Sequence, residues 1–315
     1  MKNNRRSDEG GVRLVVEELV INWHLTEACN YRCQYCYSAW TKPNSKGELH
    51  RDKDGVVRLL NELFDFFKPN NPANPLAKKL EWKYLRLSIA GGEPTLLKER
   101  LGFVIATARQ IGFRVSLITN ASLLDQSSIT ELAPQLSCLG ISLDSGSAVS
   151  NRLIGRVGRS GVGKSASEIG NLVKLARAAN PSISIKLNTV VNAINAGEDM
   201  ASVVNLIAPE RWKVLRVLPV LSPALSVTDE QFRGFVARHA SLSSVLSVED
   251  NQDMVKSYIM VDPLGRFFQN ALGQADYSYS QPIQEVGAEA AFAEIGFSPA
   301  RFAQRYKPAL LVEVE

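Results

Sequence analysis

No stretch of the 315-residue chain approaches the ~20 consecutive apolar residues that cross a bilayer. The first ten residues, MKNNRRSDEG, are basic but lack the apolar run of a secretion signal, so a cytoplasmic protein with no membrane partner is expected. An excess of charge of one sign is missing as well. Lys and Arg number 36 against 32 Asp and Glu, a net charge of +4. A duplex-binding protein would carry a stronger basic excess, so no nucleic-acid partner is expected, while a local basic pocket for a small anion fits. There is no repeat of fixed period and no low-complexity tract. With 45 % hydrophobic and 22 % charged residues, disordered, collagen-like and coiled-coil classes are excluded. Cysteine is scarce: there are four, and three lie within eight residues. In a reducing compartment such clustering points to metal or redox chemistry rather than a disulfide framework.

What is present is an alternation. Apolar runs of strand length occur at Val20–Leu25, Leu85–Ala90, Val115–Thr119, Leu139–Leu143, Ile183–Val190 and Val214–Val217. Between them, Gly55–Phe67, Lys98–Ile111, Asp125–Leu132, Ser167–Ala179 and Asp199–Ile207 carry apolar residues at helical spacing. Six such units with continuous apolar strands predict an α/β fold with a parallel sheet covered by helices. Six is short of a closed eight-stranded barrel, so a partial (β/α)6 barrel is expected. Residues 1–17 read as a flexible tail and 18–218 as the barrel. Residues 219–315 mix short helices, aromatics and loops (Asp229–Arg238, Tyr258–Phe268, Ala288–Glu294) and read as an extension packed on it.

Cys29, Cys33 and Cys36 follow the first strand with C-x3-C-x2-C spacing. A zinc site needs four protein ligands, or three with His in a catalytic geometry. The fourth cysteine, Cys138, is about a hundred residues away in a strand, and His24 sits in an apolar strand as a core residue. Three thiolates in one loop suit an iron–sulfur cluster with one iron left open. At the end of the second strand, Gly91-Gly92-Glu93-Pro94 offers backbone without Cβ atoms, where a barrel builds its site. Asn120, Ser142 and Asp144 end the third and fourth strands on the same side.

Basic residues are patterned too. Lys186 and Asn188 alternate within the fifth strand and share a face, as do Arg211 and Lys213 at the start of the sixth. A lysine facing inward needs an anion, so these pairs predict a polyanionic ligand such as a nucleoside triphosphate. Gly158–Ser165 satisfies the P-loop pattern, but it does not directly follow a strand, and a loop that contacts phosphate is the better reading.

The cysteine loop, with Tyr35 before its last cysteine, and the GGE motif resemble the radical S-adenosylmethionine (SAM) family, whose partial (β/α)6 barrel agrees with the strand count. A narrower likeness rests on Asn22–Thr26 through Cys36, Asn151–Arg156 (NRLIGR), Lys186–Val190 (KLNTV), Glu198–Met200, Arg211–Val214 (RWKV), Asn251-Gln252, Ser257-Tyr258 and Arg266-Phe267. These segments resemble the viperin family in register over roughly 18–307. The resemblance implies a four-iron, four-sulfur cluster on Cys29, Cys33 and Cys36. It implies SAM contacts from Tyr35, Gly91, Gly92, Glu93, Asn120, Ser142 and Arg156, and nucleotide contacts from Asn22, Arg86, Lys186, Asn188, Arg211, Lys213 and Arg305. Tyr258 matches the tyrosine proposed in that family to return a hydrogen atom to the product-side radical. The implied reaction converts a ribonucleoside triphosphate (CTP first, then UTP or GTP) to its 3′-deoxy-3′,4′-didehydro form, a chain terminator that serves in phage defence. An electron donor such as flavodoxin or ferredoxin is implied, and a monomer is expected. The chain departs from the family at Arg86 for a usual Lys, at Ala90 for a usual Ser, at Ala275 near a usual Lys, and in a longer loop after NRLIGR. Two rival readings are a radical SAM peptide-modifying enzyme and a zinc-binding module. Against the first, no cysteine follows Cys138 to hold an auxiliary cluster.

Overall fold

The computed structural model describes residues 13–36, 47–218, 223–270 and 277–306. Its strands are β1 (Leu14–His24), β2 (Leu80–Ala90), β3 (Arg114–Thr119), β4 (Cys138–Ser142), β5 (Ser184–Val191), β6 (Arg211–Arg216), β7 (Leu246–Glu249), β8 (Ile259–Val261), β9 (Arg266–Asn270) and β10 (Tyr277–Pro282). They form one sheet in the order β10-β9-β8-β1-β2-β3-β4-β5-β6-β7. Neighbours from β8 through β1 to β7 are parallel, and β9 and β10 are antiparallel additions. The helices are α1 (Lys53–Phe67), α2 (Glu99–Ile111), α3 (Gln126–Leu132), α4 (Ala148–Ile154), α5 (Ala166–Ala179), α6 (Ala201–Ile207), α7 (Asp229–Arg238), α8 (Ile283–Val286), α9 (Ala288–Ala293) and α10 (Pro299–Gln304). Among them no helix is long and apolar enough to cross a membrane.

The six strand-and-helix units appear as β1 to β6, so the α/β reading holds. The helices cover the sheet because each has an apolar stripe. In α1, Val56, Leu59, Leu60, Leu63 and Phe67 recur at three- and four-residue spacing, and all are fully buried. Interior side chains from six consecutive strands line common cavities: Asn22, Ser88, Ser116, Ser142, Lys186 and Lys213. The sheet therefore curves around an interior while its two edges, β10 and β7, remain apart in the strand order.

The segment after residue 218 differs from a layer laid on a finished sheet. It supplies β7 beside β6 at one edge and β8 to β10 beyond β1 at the other. Tyr258–Phe268 spans a hairpin, β8 into β9. Asp262 makes its turn by accepting from the backbone N–H of Leu264 and Arg266, both at 2.9 Å. Phe267 of β9 and Phe292 of α9 pack on Phe67 of α1, with ring centroids 6.1 and 5.1 Å away, so the extension shares the core. At the other end of the chain, β1 begins at Leu14, inside the segment read as tail. Its first residues pair with Leu80–Tyr84 of β2.

Candidate active site

The cysteine loop leaves the end of β1 and is pinned from three sides. At its root, Thr26 Oγ1 donates to both carboxylate oxygens of buried Glu48 (2.9 and 3.1 Å), and the Glu27 N–H donates to the same carboxylate at 2.7 Å. His50 Nε2 stands 2.8 Å from it. From β2, the Gly92 N–H donates to Thr26 O (2.6 Å) and the Glu93 N–H to Ala28 O (2.8 Å). A Cβ on Gly91 or Gly92 would run into the backbone of Thr26 or Ala28. The paired glycines thus let the strand end press against the loop, besides lining the cavity. From α4, Gly155 O and Ile154 O accept from the Arg32 and Gln34 N–H groups at 3.1 and 3.0 Å. Gly155 sits at φ +85°, and a Cβ there would strike Arg32 O, so only glycine closes this helix against the loop.

Behind the loop lies a buried polar triad. Tyr35 Oη donates to Asp144 Oδ2, and Arg156 donates to Tyr35 Oη (3.0 Å) and to Ser142 O (2.6 Å). Arg156 also faces Asp144 at 3.6 Å and Cys33 Sγ at 3.9 Å. Burial raises the Asp144 carboxyl, with Arg156 opposing. Glu93 stands apart from the other residues of its motif. Its carboxylate accepts from Thr95 N (3.1 Å), Thr95 Oγ1 (2.5 Å), Thr119 Oγ1 (2.6 Å) and Asn120 N (2.7 Å), and it does not line the cavity. Glu93 therefore ties the ends of β2 and β3 and places Asn120, which reaches Asn30 at 3.0 Å and Cys29 Sγ at 4.0 Å.

The three cysteines line one cavity of about 270 Å³ with Tyr35, Gly91, Gly92, Asn120, Ser142 and Arg156. Burial pushes the Cys33 thiol up to about 12, against Arg156, so a thiolate there needs a strong Lewis acid beside it. Donors already point at the sulfurs: the Tyr31 N–H reaches Cys29 Sγ at 3.4 Å, and Asn120 and Arg156 stand further out. Hydrogen bonds to sulfur are what tune an iron–sulfur centre. Among the described residues no three His, Cys, Asp or Glu side chains converge on a single metal ion. Thiolates that each hold a different iron need not converge, so the arrangement suits a cluster and disfavours a zinc site.

A second cavity, about 100 Å³, lies deeper in the barrel. It shares Asn22, Lys186, Lys213 and Tyr258 with the first and adds Arg86, Arg211 and Arg305. The basic pairs converge as the strand pattern predicts: Lys186 is the register partner of Arg211, and Asn188 that of Lys213. Gly140, the partner of Lys186 on β4, leaves room for the lysine stem, whose Cε would lie 3.3 Å from a Cβ there. Burial brings the Lys186 ammonium down to about 8, and Arg86, Arg211 and Arg305 push the same way.

Two carboxylates that hold the cations of this chamber were not foreseen, one buried (Glu249) and one half-buried (Glu18). Glu249, at the end of β7, pairs with Lys213 (2.8 Å) and Arg305 (3.1 Å) and accepts from Tyr258 Oη. Burial alone would raise its carboxyl, but the charges of Lys213 and Arg305 outweigh that and hold it well below the usual range. Tyr258 Oη also accepts from Lys213 Nζ, and the Arg305 guanidinium lies 3.4 Å above the tyrosine ring. Burial keeps the Tyr258 phenol protonated, well above its ordinary value. Glu18, on β1, holds Arg86 at 3.0 Å. An acid in an apolar strand, the adjacent Glu17 and Glu18 of LVVEELVI and the final Glu249 of LSVE, is the one signal the sequence offers for either. Arg211 is held by Ser247 Oγ (2.7 Å) and Arg305 O (2.8 Å). Asn22 Nδ2 donates to Ile259 O of β8 at 3.3 Å.

The Radical SAM superfamily model matches residues 23–195. A protein of Pseudoalteromonas ulvae named S-adenosylmethionine-dependent nucleotide dehydratase is 41 % identical over 93 % of this chain and 94 % of its own length. A protein of the same name from Psychrobacter lutiphocae is 38 % identical over 95 % of this chain and 98 % of its own. The chain belongs to the viperin-like nucleotide dehydratases of the radical SAM superfamily. Membership brings a four-iron, four-sulfur cluster and SAM as cofactors. Among solved structures, native anSMEcpe with bound AdoMet matches with a TM-score of 0.62 and 16 % identity, covering 87 % of this chain and 80 % of its own. Streptococcus suis SuiB bound to S-adenosylmethionine matches at 0.56 and 15 %, covering 85 % of this chain and 64 % of its own. These two likenesses show the fold. Of the departures from the family, Arg86 faces the deeper cavity and Ala90 lines the outer one, while Ala275 lies outside the described residues. The P-loop-like stretch follows α4 and ends in Ser165, which caps α5 in a reciprocal box with Glu168, and Lys164 pairs with Glu168 at 3.7 Å.

Proposed function

We propose that this protein dehydrates a ribonucleoside triphosphate, CTP first and UTP or GTP next, to the 3′-deoxy-3′,4′-didehydro nucleotide, and that the product acts as a chain terminator in phage defence. One observation carries the nucleotide reading: the cavity lined by the three cysteines shares four residues with a chamber lined by five basic side chains, three of which share just two carboxylates, Glu18 and Glu249. A triphosphate in the chamber would place its ribose at the junction, beside Tyr258.

When bound, the cluster and SAM supply a one-electron cleavage that yields a 5′-deoxyadenosyl radical able to take a hydrogen atom from the ribose. Gly91, Gly92, Asn120, Ser142 and Arg156 hold the cofactor side of the cavity. Lys186, Arg211, Lys213 and Arg305 take the phosphates, with Asn22 and Asn188 at the ribose end. This fixes the 4′ carbon and excludes water, which lowers the entropy cost of meeting the radical. Loss of the 4′ hydrogen atom and of the 3′ hydroxide, with one electron returned, removes one water overall. Tyr258 holds a hydrogen atom at Oη that can supply that electron, its proton leaving with the hydroxide. Glu249 keeps the phenol, Lys213 and Arg305 in register.

The test is an anaerobic reaction offering all four ribonucleoside triphosphates, SAM and a reductant, read by mass spectrometry. The expected product is one water lighter than its substrate, with deuterium from the 4′ position, not the 5′, found in 5′-deoxyadenosine. Deuterium transfer from none of the four would overturn the nucleotide reading. Tyr258→Phe should still cleave SAM and take the hydrogen but yield less product.

A further inference from the structure

The outer face of α4 and the loop after it carry what the core excludes. Val149 and Leu153, one helical turn apart, are 66 % and 56 % exposed, and Val162 in the following loop is 66 % exposed. On the same helix and the loops that meet it stand Arg32, whose backbone N–H donates to Gly155 O, Arg152, which donates to Gly161 O, and Arg159, all exposed and none with a carboxylate partner among the described residues. From residue 145 to residue 167 the sequence has no acid. Exposed apolar side chains accompanied by charge of one sign are the make-up of a docking surface rather than of a solvated face.

Its position is specific. Gln34, between two of the cysteines, donates from Nε2 to Leu153 O at 2.7 Å. The backbones of Ile154 and Gly155 hold the same loop, and a Cβ on Gly155 would lie 3.3 Å from Cys33 Cα. On the far side of this one layer of backbone is the cavity the cysteines line.

We infer that this face docks a small acidic protein that carries one electron at a time. The inference rests on the proposed dehydration. Each turnover there needs one electron for SAM cleavage and one to restore Tyr258, and in each docking event the carrier is oxidised by one electron while this protein's redox centre gains it. Charge complementarity selects an acidic carrier, and the three apolar side chains supply the contact its redox edge would bury.

The probe is a bacterial flavodoxin of net negative charge. Its oxidised form, followed by flavin fluorescence anisotropy, should bind the reconstituted full-length protein at low salt and weaken steeply as salt rises. Arg152→Glu with Arg159→Glu should weaken binding at least tenfold, and Leu153→Asp severalfold, while Arg152→Lys with Arg159→Lys restores it. With dithionite as reductant, the same variants should cleave SAM at the wild-type rate. No binding by the wild type, or equal binding by the charge-reversed variant, overturns the docking face. SAM left uncleaved by wild type with dithionite, in the presence of nucleotide, overturns instead the radical reading on which the face depends.

Discussion

The two ends of the central cavity are built by different means. At the cysteine end, the geometry is set by backbone: Gly91, Gly92 and Gly155 bring β2 and α4 so close to the loop that no side chain fits between. At the phosphate end, it is set by side chains that hold one another, with Glu249 gripping Lys213, Arg305 and Tyr258, and Glu18 gripping Arg86. The first end is held by contacts of the chain's own backbone. The second is a set of cations held by one buried anion, Glu249, and one half-buried, Glu18, and suited to a better anion. A group that binds and must leave, such as a nucleotide, suits the second kind; a cluster that must stay suits the first.

The sharpest test of that contrast is at the cysteines. Cys33→Ala should abolish iron loading and SAM cleavage outright. Cys138→Ala, in β4 on the wall of the deeper cavity, should cost only about 1 kcal/mol of packing and leave the iron content unchanged. Iron analysis and 5′-deoxyadenosine yield after anaerobic reconstitution read both. Full activity in Cys33→Ala would remove the cluster assignment.

Next in size is the loss of a phosphate partner. Arg211→Ala or Lys213→Ala should raise the KM for the nucleotide tens-fold or more, since truncating one partner of a desolvated pair costs ~2–5 kcal/mol. SAM affinity, measured calorimetrically, should hold in Arg211→Ala, since Arg211 lines only the deeper chamber, whereas Lys213 lines both cavities. A parallel loss of SAM affinity would show that the two ends are one unit.

Glu249→Gln probes the internal anion. The amide cannot carry the charge that Lys213 and Arg305 face, so the variant should lose about 2 kcal/mol of stability without ligand. The triphosphate then supplies the missing charge, and its stabilising effect should exceed that on wild type. Thermal denaturation with and without CTP measures the difference. An equal ligand shift in both proteins would mean that Glu249 does not stand in for phosphate.

The same contrast explains how much was legible beforehand. The cysteine loop and GGE motif are local, so their spacing alone pointed to the chemistry, and the apolar runs of β1 to β6, alternating with helical segments, announced the sheet. Inward alternation placed Lys186, Asn188, Arg211 and Lys213, because strand periodicity fixes a face. Glu249 escaped, since nothing near it in sequence marks a partner such as Arg305, which lies 56 residues on. The packing role of the paired glycines was hidden for the same reason: their neighbours, Thr26 and Ala28, come from another strand's loop. Strands β7 and β8 are only four and three residues long, too short to show a period, and the turn at Asp262 split an aromatic run that had no helical face to bury.

The smallest effect concerns Lys186 and pH. Within the chamber, burial holds its ammonium at about 8, below the ordinary lysine value. A bound triphosphate, ionised throughout the alkaline range, raises it again. The lowered value belongs to the free protein, so above pH 8 the site must take up a proton to bind, and affinity falls as pH rises. Between pH 7 and pH 9 the Kd for CTP should increase by up to about tenfold, the factor that one unit of linkage sets. Calorimetry in two buffers of different ionisation heat should show uptake of up to one proton at pH 9 and almost none at pH 7. Lys186→Arg keeps its charge over this range, so its Kd should stay flat and its proton uptake vanish. A wild-type Kd that is equally flat would mean that Lys186 is charged before the nucleotide arrives, and that the chamber, like the cysteine end, is set in advance.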